Sequence, residues 1–153
     1  MMIFRQQDIQ DFILQLKPNQ PIMGVDYGDK RIGIAKTDRE RIFSNPLCVI
    51  NNPGFKEIKE LILKERICGF IVGYPLSMDG IEGDNCKKVQ IYTNKLFEVT
   101  NLPIYLQDER LSTKAAKNFL NESYLSRKEK DFLDNKIAAS IILESFLNFM
   151  RNS

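Results

Sequence analysis

Histidine is absent from the chain. That removes Ser-His-Asp triads, HExxH metalloprotease sites and His/Cys zinc sites, so any acid–base or metal-binding chemistry falls mainly to carboxylates. Cysteine is scarce: Cys48, Cys68 and Cys86 make an odd set with no CxxC spacing. They read as reduced thiols of a cytosolic protein, most simply buried filler. No apolar run approaches the roughly 20 residues of a membrane span. The first residues, "MMIFRQQDIQDFILQLKPNQP", are too acidic and too interrupted for a signal peptide. There is no internal repeat, low-complexity tract or linker, and neither GxxxxGK[ST] nor GxGxxG occurs. Net charge is only +2, so a nucleic-acid surface has to come from local clusters of Lys and Arg.

What is present fits one domain over residues 1–153, with 43% hydrophobic and 27% charged residues and enough chain for a sizeable core. "DIQDFILQL" reads as a short amphipathic helix ended by Pro18 and Pro21, so residues 1–20 form an N-terminal helical extension. "PIMGVDYG", "RIGIAKTD" and "SNPLCVI" follow as three strands with hairpin-length connections. "FKEIKELILKER" carries Phe55, Ile58, Leu61 and Ile62 at helical spacing. "ICGFIVGYPL" is a continuous apolar run, expected of a strand covered on both faces. "DNCKKVQIYTNKLFEVT" is helical with Val89, Tyr92, Leu96 and Val99 as its stripe, and "LPIYLQDER" is a further strand. "STKAAKNFL" predicts a helix capped by Ser112; a last helix starts near Ser126, three residues before Glu129. The expected fold is α/β: a five-stranded mixed sheet, a three-strand antiparallel meander plus two parallel strands, with helices on both faces.

Three acidic positions stand where apolar side chains would be cheaper. Asp26 ends the apolar run "IMGVD", on one strand face with Ile22 and Gly24, near a strand end where α/β sheets bind ligands. It could equally cap the turn that follows. Asp108 and Glu109 end "PIYLQDER" and point to opposite faces of a regular strand, so one faces a site, unless both belong to a solvated strand end. Asp134 lies two turns into the last helix with Ile137, Ala138 and Ile141 as neighbours. Its alternatives are pairing with Lys130 or Lys136, or a later helix start that makes it a cap. Clustered carboxylates stay ionised only beside a cation. Hard Mg2+ or Mn2+ suits such oxygens and supports phosphodiester cleavage without histidine.

The blocks "GVDYGDKRIGIAKTD", "IVGYPLSMDGIEGDNCKKV", "IYLQDERLSTKAA" and "LDNKIAASIILESFL" resemble, in order, the signature blocks of the YqgF-type bacterial family. That family is described both as pre-16S ribosomal RNA nucleases and as Holliday junction resolvases. The resemblance implies a ribonuclease H-like (RNase H-like) fold, cytoplasmic location and nuclease action on structured nucleic acid, with trimming of the 5′ end of precursor 16S ribosomal RNA as the favoured role. It places the family's acids on Asp26, Glu109 and Asp134 as catalytic and metal-binding residues, with Mg2+ or Mn2+ as cofactor. Asp108 and Asp79 stand as alternatives for a further ligand.

Basic residues flank these acids. Lys30 and Arg31 follow Asp26, Arg110 follows Glu109, and Lys136 follows Asp134, a candidate phosphate-binding rim. Lys87 and Lys88 open a helix beside it, with ordinary surface charge as the other reading. Arg31 can grip phosphate bidentately. The glycine-rich "SMDGIEGDN" reads as a loop beside the site, either clamp or connector. Two rivals remain. One is a non-catalytic RNA-, ribosome-assembly- or transcription-associated binding protein. The other is an actin-like or sugar-kinase ATPase, for which the chain is too short to form two lobes. Branched DNA as substrate would favour a homodimer; an RNA end would be served by a monomer.

Overall fold

The run Phe70–Tyr74 is buried along its whole length, the pattern of a strand covered on both faces. In the computed structural model of the chain it lies inside a six-stranded sheet of order β1-β6-β5-β2-β3-β4. The structure describes residues 2–110 and 127–152, with side chains in the last helix from 135 onward. The strands are β1 (Ile3–Phe4), β2 (Met23–Asp26), β3 (Arg31–Thr37), β4 (Ser44–Asn51), β5 (Phe70–Tyr74) and β6 (Ile104–Asp108). The helices are α1 (Ile9–Gln15), α2 (Phe55–Glu65), α3 (Asp84–Thr100) and α4 (Arg127–Arg151). The expected helix "STKAAKNFL" with its Ser112 cap, and Ser126, lie outside the described residues.

β2, β3 and β4 form the antiparallel meander, and β5 joins β2 in parallel with β6 beyond it. The meander and parallel pair agree with the expectation; the strand count does not. β1 adds a sixth strand, parallel to β6 with Ile3 opposite Ile104, where the sequence suggested only a helical extension. Two residues are too few to display a period-2 pattern, so this strand exists through its pairing alone.

Val25, Val72, Leu106 and the stripe of α3 form the core on one face. Ile22, Ile71 and Tyr105 pack against α1 and α4 on the other. The buried side chains of α4 are Ala139, Ser140, Ile142, Leu143, Phe146 and Leu147, the i, i+3, i+4 stripe of a packed helix. This shifts the expected stripe: Ile137, Ala138 and Ile141 are only half-buried. Among the described residues no helix is long and apolar enough to cross a membrane.

α4 lies unusually close to the sheet because glycines line its track. A Cβ on Gly24 would stand 2.8 Å from the Ala139 carbonyl oxygen, and one on Gly33 would stand 1.9 Å from that of Asn135. Both obstacles are backbone, so neither can turn aside. Gly33→Ala is therefore expected to force α4 outward and to lower stability by about 1–3 kcal/mol or more. Gly83→Ala, which meets nothing within 4 Å, is expected to leave the thermal midpoint nearly unchanged; urea and thermal unfolding of the two variants check this.

Candidate active site

β2, β5 and β6 are mutually parallel, so their C-terminal ends share one edge of the sheet. Asp26 closes β2, Tyr74 closes β5, and Glu109 follows β6 directly, its N–H donating to the Tyr74 carbonyl at 3.2 Å. Asp26 lies on the face of Gly24, which α4 covers, and pairs in register with Gly33. Along β6, Tyr105 packs its ring on Phe146 of α4. Alternation then sends Gln107 and Glu109 to that same face and Asp108 to the other.

Glu109 reaches back over β5. Its Oε1 occupies the space above Gly73, 2.5 Å from where a Cβ would be, and Ile142 Cδ1 lies 2.6 Å from that same Cβ position. There it is hydrogen-bonded to the carboxyl of Asp26. Two acids 83 residues apart by the numbering (109 minus 26) thus meet above a glycine. Burial pushes the Glu109 carboxyl up to about 7; the hydrogen bond with Asp26 pulls the other way, and the charge of Asp108 adds to the rise.

The helix supplying the third expected acid crosses at this point. Asn135, whose carbonyl oxygen presses on Gly33 opposite Asp26, is the residue next to Asp134. The backbone of α4 thus brings Asp134 to the neighbourhood of Asp26, and its side chain lies outside the description. The expectation that Lys130 pairs with Asp134 falls outside the description as well.

The two alternative acids are engaged elsewhere. Asp108 binds its neighbour Arg110 in a fork, with Nε at 2.8 Å and Nη2 at 2.5 Å from Oδ2. Burial alone would raise the Asp108 carboxyl, but Arg110 holds it below the usual range. Asp79 is exposed and ties its own turn together, accepting from Ser77 Oγ and from the Ile81 N–H. Arg110 is thus paired with Asp108. Lys30 and Arg31 are exposed beside Asp26. Lys136 is half-buried near Cys48, lowering a thiol that burial raises. Lys88 is paired with Asp29 at 3.2 Å, and Lys87 is exposed. All three thiols are free, with Cys68 and Cys86 buried.

A cleft of about 180 Å3 opens on Glu109 and Gly73, walled by Tyr27, Gly28, Pro75 and Asn85. A larger one, about 740 Å3, lies at the opposite end of the sheet among Pro18, Thr37 and Glu65. It is remote from the carboxylate pair, and Asp38 there is occupied in accepting from the Ile42 and Phe43 amides.

Sequence reading missed Gly73 and Gln107. Glycine within a buried strand is the usual mark of close approach, and that signal was available for Gly73. Gln107 carries a buried Oε1 with no hydrogen-bond partner among the described residues, on the face of Glu109. Among the described residues no three His, Cys, Asp or Glu side chains gather. The fit to a metal rests on the donor set: two facing carboxyls and an orphaned amide oxygen are all hard oxygen ligands of the kind Mg2+ or Mn2+ takes, directly or through water. The residues fit such an ion.

Residues 20–149 match the family described as RuvX: Holliday junction resolvase. A protein of Rickettsia bellii named "Putative pre-16S rRNA nuclease" is 41% identical over 145 residues, 92% of this chain and 94% of that one. One of the same name from Rickettsia canadensis is 39% identical over 149 residues, 95% and 97% of the two chains. Among solved structures, T. thermophilus RuvC in complex with a Holliday junction substrate aligns with a TM-score of 0.52 at 11% identity, covering 86% of this chain and 96% of that one. This is a likeness of RNase H-like fold.

The raised carboxyl of Glu109 fixes the sign of a pH dependence. Between pH 4.5 and about 7 the folded, metal-free protein holds a proton that the unfolded chain has released. Stability therefore falls as pH rises through that window, by up to about 3 kcal/mol, and levels off above it. Glu109→Gln is expected to abolish this part of the slope, read from urea midpoints in chelator at pH 5 and pH 8.

Proposed function

The chain belongs to the RuvX family, and from that membership we propose that it is a nuclease whose task is 5′-end processing of precursor 16S ribosomal RNA in the cytoplasm. It hydrolyses phosphodiester bonds in structured nucleic acid, with Asp26, Glu109 and Asp134 as its catalytic carboxylates. The observation that carries the reading is the hydrogen-bonded meeting of Asp26 and Glu109 over Gly73. A sheet has no structural need for two acids there, and their burial is costly.

Asp26 and Glu109, joined by Asp134 from α4, would hold a divalent cation, Mg2+ or Mn2+. When bound, such an ion neutralises the carboxylates and favours attack of water on a phosphodiester. The chain's own residues prepare that chemistry. Glycine at position 73 lets Glu109 lie flat on the sheet beside Asp26. Tyr27, its ring tilted against that of Tyr92 at 5.1 Å, forms part of the wall of the cleft. Lys30 and Arg31, exposed next to Asp26, are placed to bind phosphate. Arg110 instead steadies the end of β6 by holding Asp108; Lys136 sits on the β4 side of α4, where it serves the backbone of a strand passing that edge.

The family description supports a second substrate in the same chemistry, the four-way DNA junction. Symmetric resolution of one favours a two-fold dimer, whereas trimming an RNA end does not require one. Purified protein with Mn2+, offered precursor RNA ends and four-way junctions side by side, separates the two. Asp26→Asn is expected to reduce cleavage roughly a hundredfold or more while leaving binding within about threefold. Equal function of native and Asp26→Asn chains in ribosome assembly would instead mean a binding protein. Independently of activity, Mn2+ is expected to raise the thermal midpoint of the native chain, and not that of Asp26→Asn.

A further inference from the structure

The loop after β5 leaves the edge of the sheet that carries Asp26 and Glu109. Its tip is a tight turn with Gly80 at φ +84°. Ser77 binds Asp79, the Ile81 amide donates to Asp79 at 3.1 Å, and the Gly80 amide donates to the Ser77 carbonyl at 2.8 Å. Its base is fastened too. Glu82 pairs with Arg5 at 2.5 Å and accepts from Gln90 at 3.3 Å, and Arg5 lies 4.5 Å over the Tyr74 ring. A turn held at so many points is a display device, and what it displays is apolar: Met78 is 78% exposed and Ile81 61%.

The turn that carries them reaches the side chain of Arg110. A Cβ on Gly80 would lie 3.6 Å from Nη1 of Arg110, and Arg110 follows Glu109. Two side chains are far too small an area for a stable protein interface. They match the apolar wedges that nucleic-acid-binding proteins insert between base steps. Resting on the nuclease reading, we propose that Met78 and Ile81 form an apolar wedge that stacks on the terminal base pair at a duplex end or branch point, so that the enzyme selects strands leaving a duplex.

The test uses the full chain and a hairpin RNA with a single-stranded 5′ tail, 2-aminopurine replacing the base at the first pair beside the tail. In an Asp26→Asn background, which blocks cleavage, binding is expected to brighten the probe severalfold. Adding Met78→Ser and Ile81→Ser is expected to remove the brightening. In the otherwise native chain the same two substitutions are expected to raise KM at least about tenfold on the tailed hairpin and less than about threefold on an unstructured strand, in line with the worth of one base stack. No brightening, brightening that persists in the serine variant, or an equal rise in KM on both substrates overturns the wedge. So does a native dimer that the serine substitutions convert to monomer with brightening unchanged, because the patch then belongs to a second copy. The two readings fail separately: a native chain that brightens the probe yet cuts neither RNA overturns the nuclease and leaves the wedge standing.

Discussion

Two carboxyl groups, on Asp26 and Glu109, face each other over a glycine and share a hydrogen bond. Ionised together and without a cation, they would repel at close range in a partly buried setting. Burial holds the Glu109 carboxyl up to about 7, against the pull of its hydrogen bond with Asp26. In the proposed reading a divalent ion bound there would take the place of the Glu109 proton. Metal binding and sensitivity to pH would then be one property seen from two sides.

The pair can form only because the sheet is bare beneath it. Gly24, Gly33 and Gly73 lie on three neighbouring strands, and each would collide with α4 or Glu109 if it carried a side chain. Gly24 and Gly33 let the helix backbone settle against the strands, bringing the start of α4 to Asp26. Gly73 leaves the gap that Glu109 fills. Removing side chains from the middle of a sheet sacrifices apolar contact, and that loss is made up lower down, where Ile142, Leu143, Phe146 and Leu147 bury the helix against Ile71 and Tyr105.

Much of this could be read from the chain alone, for identifiable reasons. α3 falls on Asp84–Thr100, the predicted run, because its stripe is long and its ends carry clear signals. Asp26 drew notice because an acid interrupts an apolar strand; alternation said only that one of Asp108 and Glu109 faces a site, and the family resemblance chose Glu109. β1 was not legible, since two residues have no periodicity. Nor was the pairing of Arg110: sequence shows a base near an acid but not that its fork closes on Asp108. The stripe of α4 was misplaced by one position, an error of about 100° around a helix that periodicity alone does not correct. The convergence of residues 26 and 109 is a tertiary fact, and only the parallel order β2-β5-β6 creates it.

Charge around the site explains why shape has to share in recognition. Arg110 is neutralised by Asp108, Lys88 by Asp29 and Arg5 by Glu82, all near the sheet edge that carries the carboxylates. Such pairs steady loops but release few counterions when a strand arrives, so they add little of the salt-dependent affinity that ordinarily dominates nucleic-acid binding. Net charge of +2 over the chain says the same thing globally. In the proposed reading the nuclease gains discrimination from geometry: the cleft at Glu109, phosphate contacts at the turn of Lys30 and Arg31, and the apolar loop tip near Arg110. Weak general attraction with local shape reading suits an enzyme that must ignore most of the RNA it meets and act where a strand parts from a duplex.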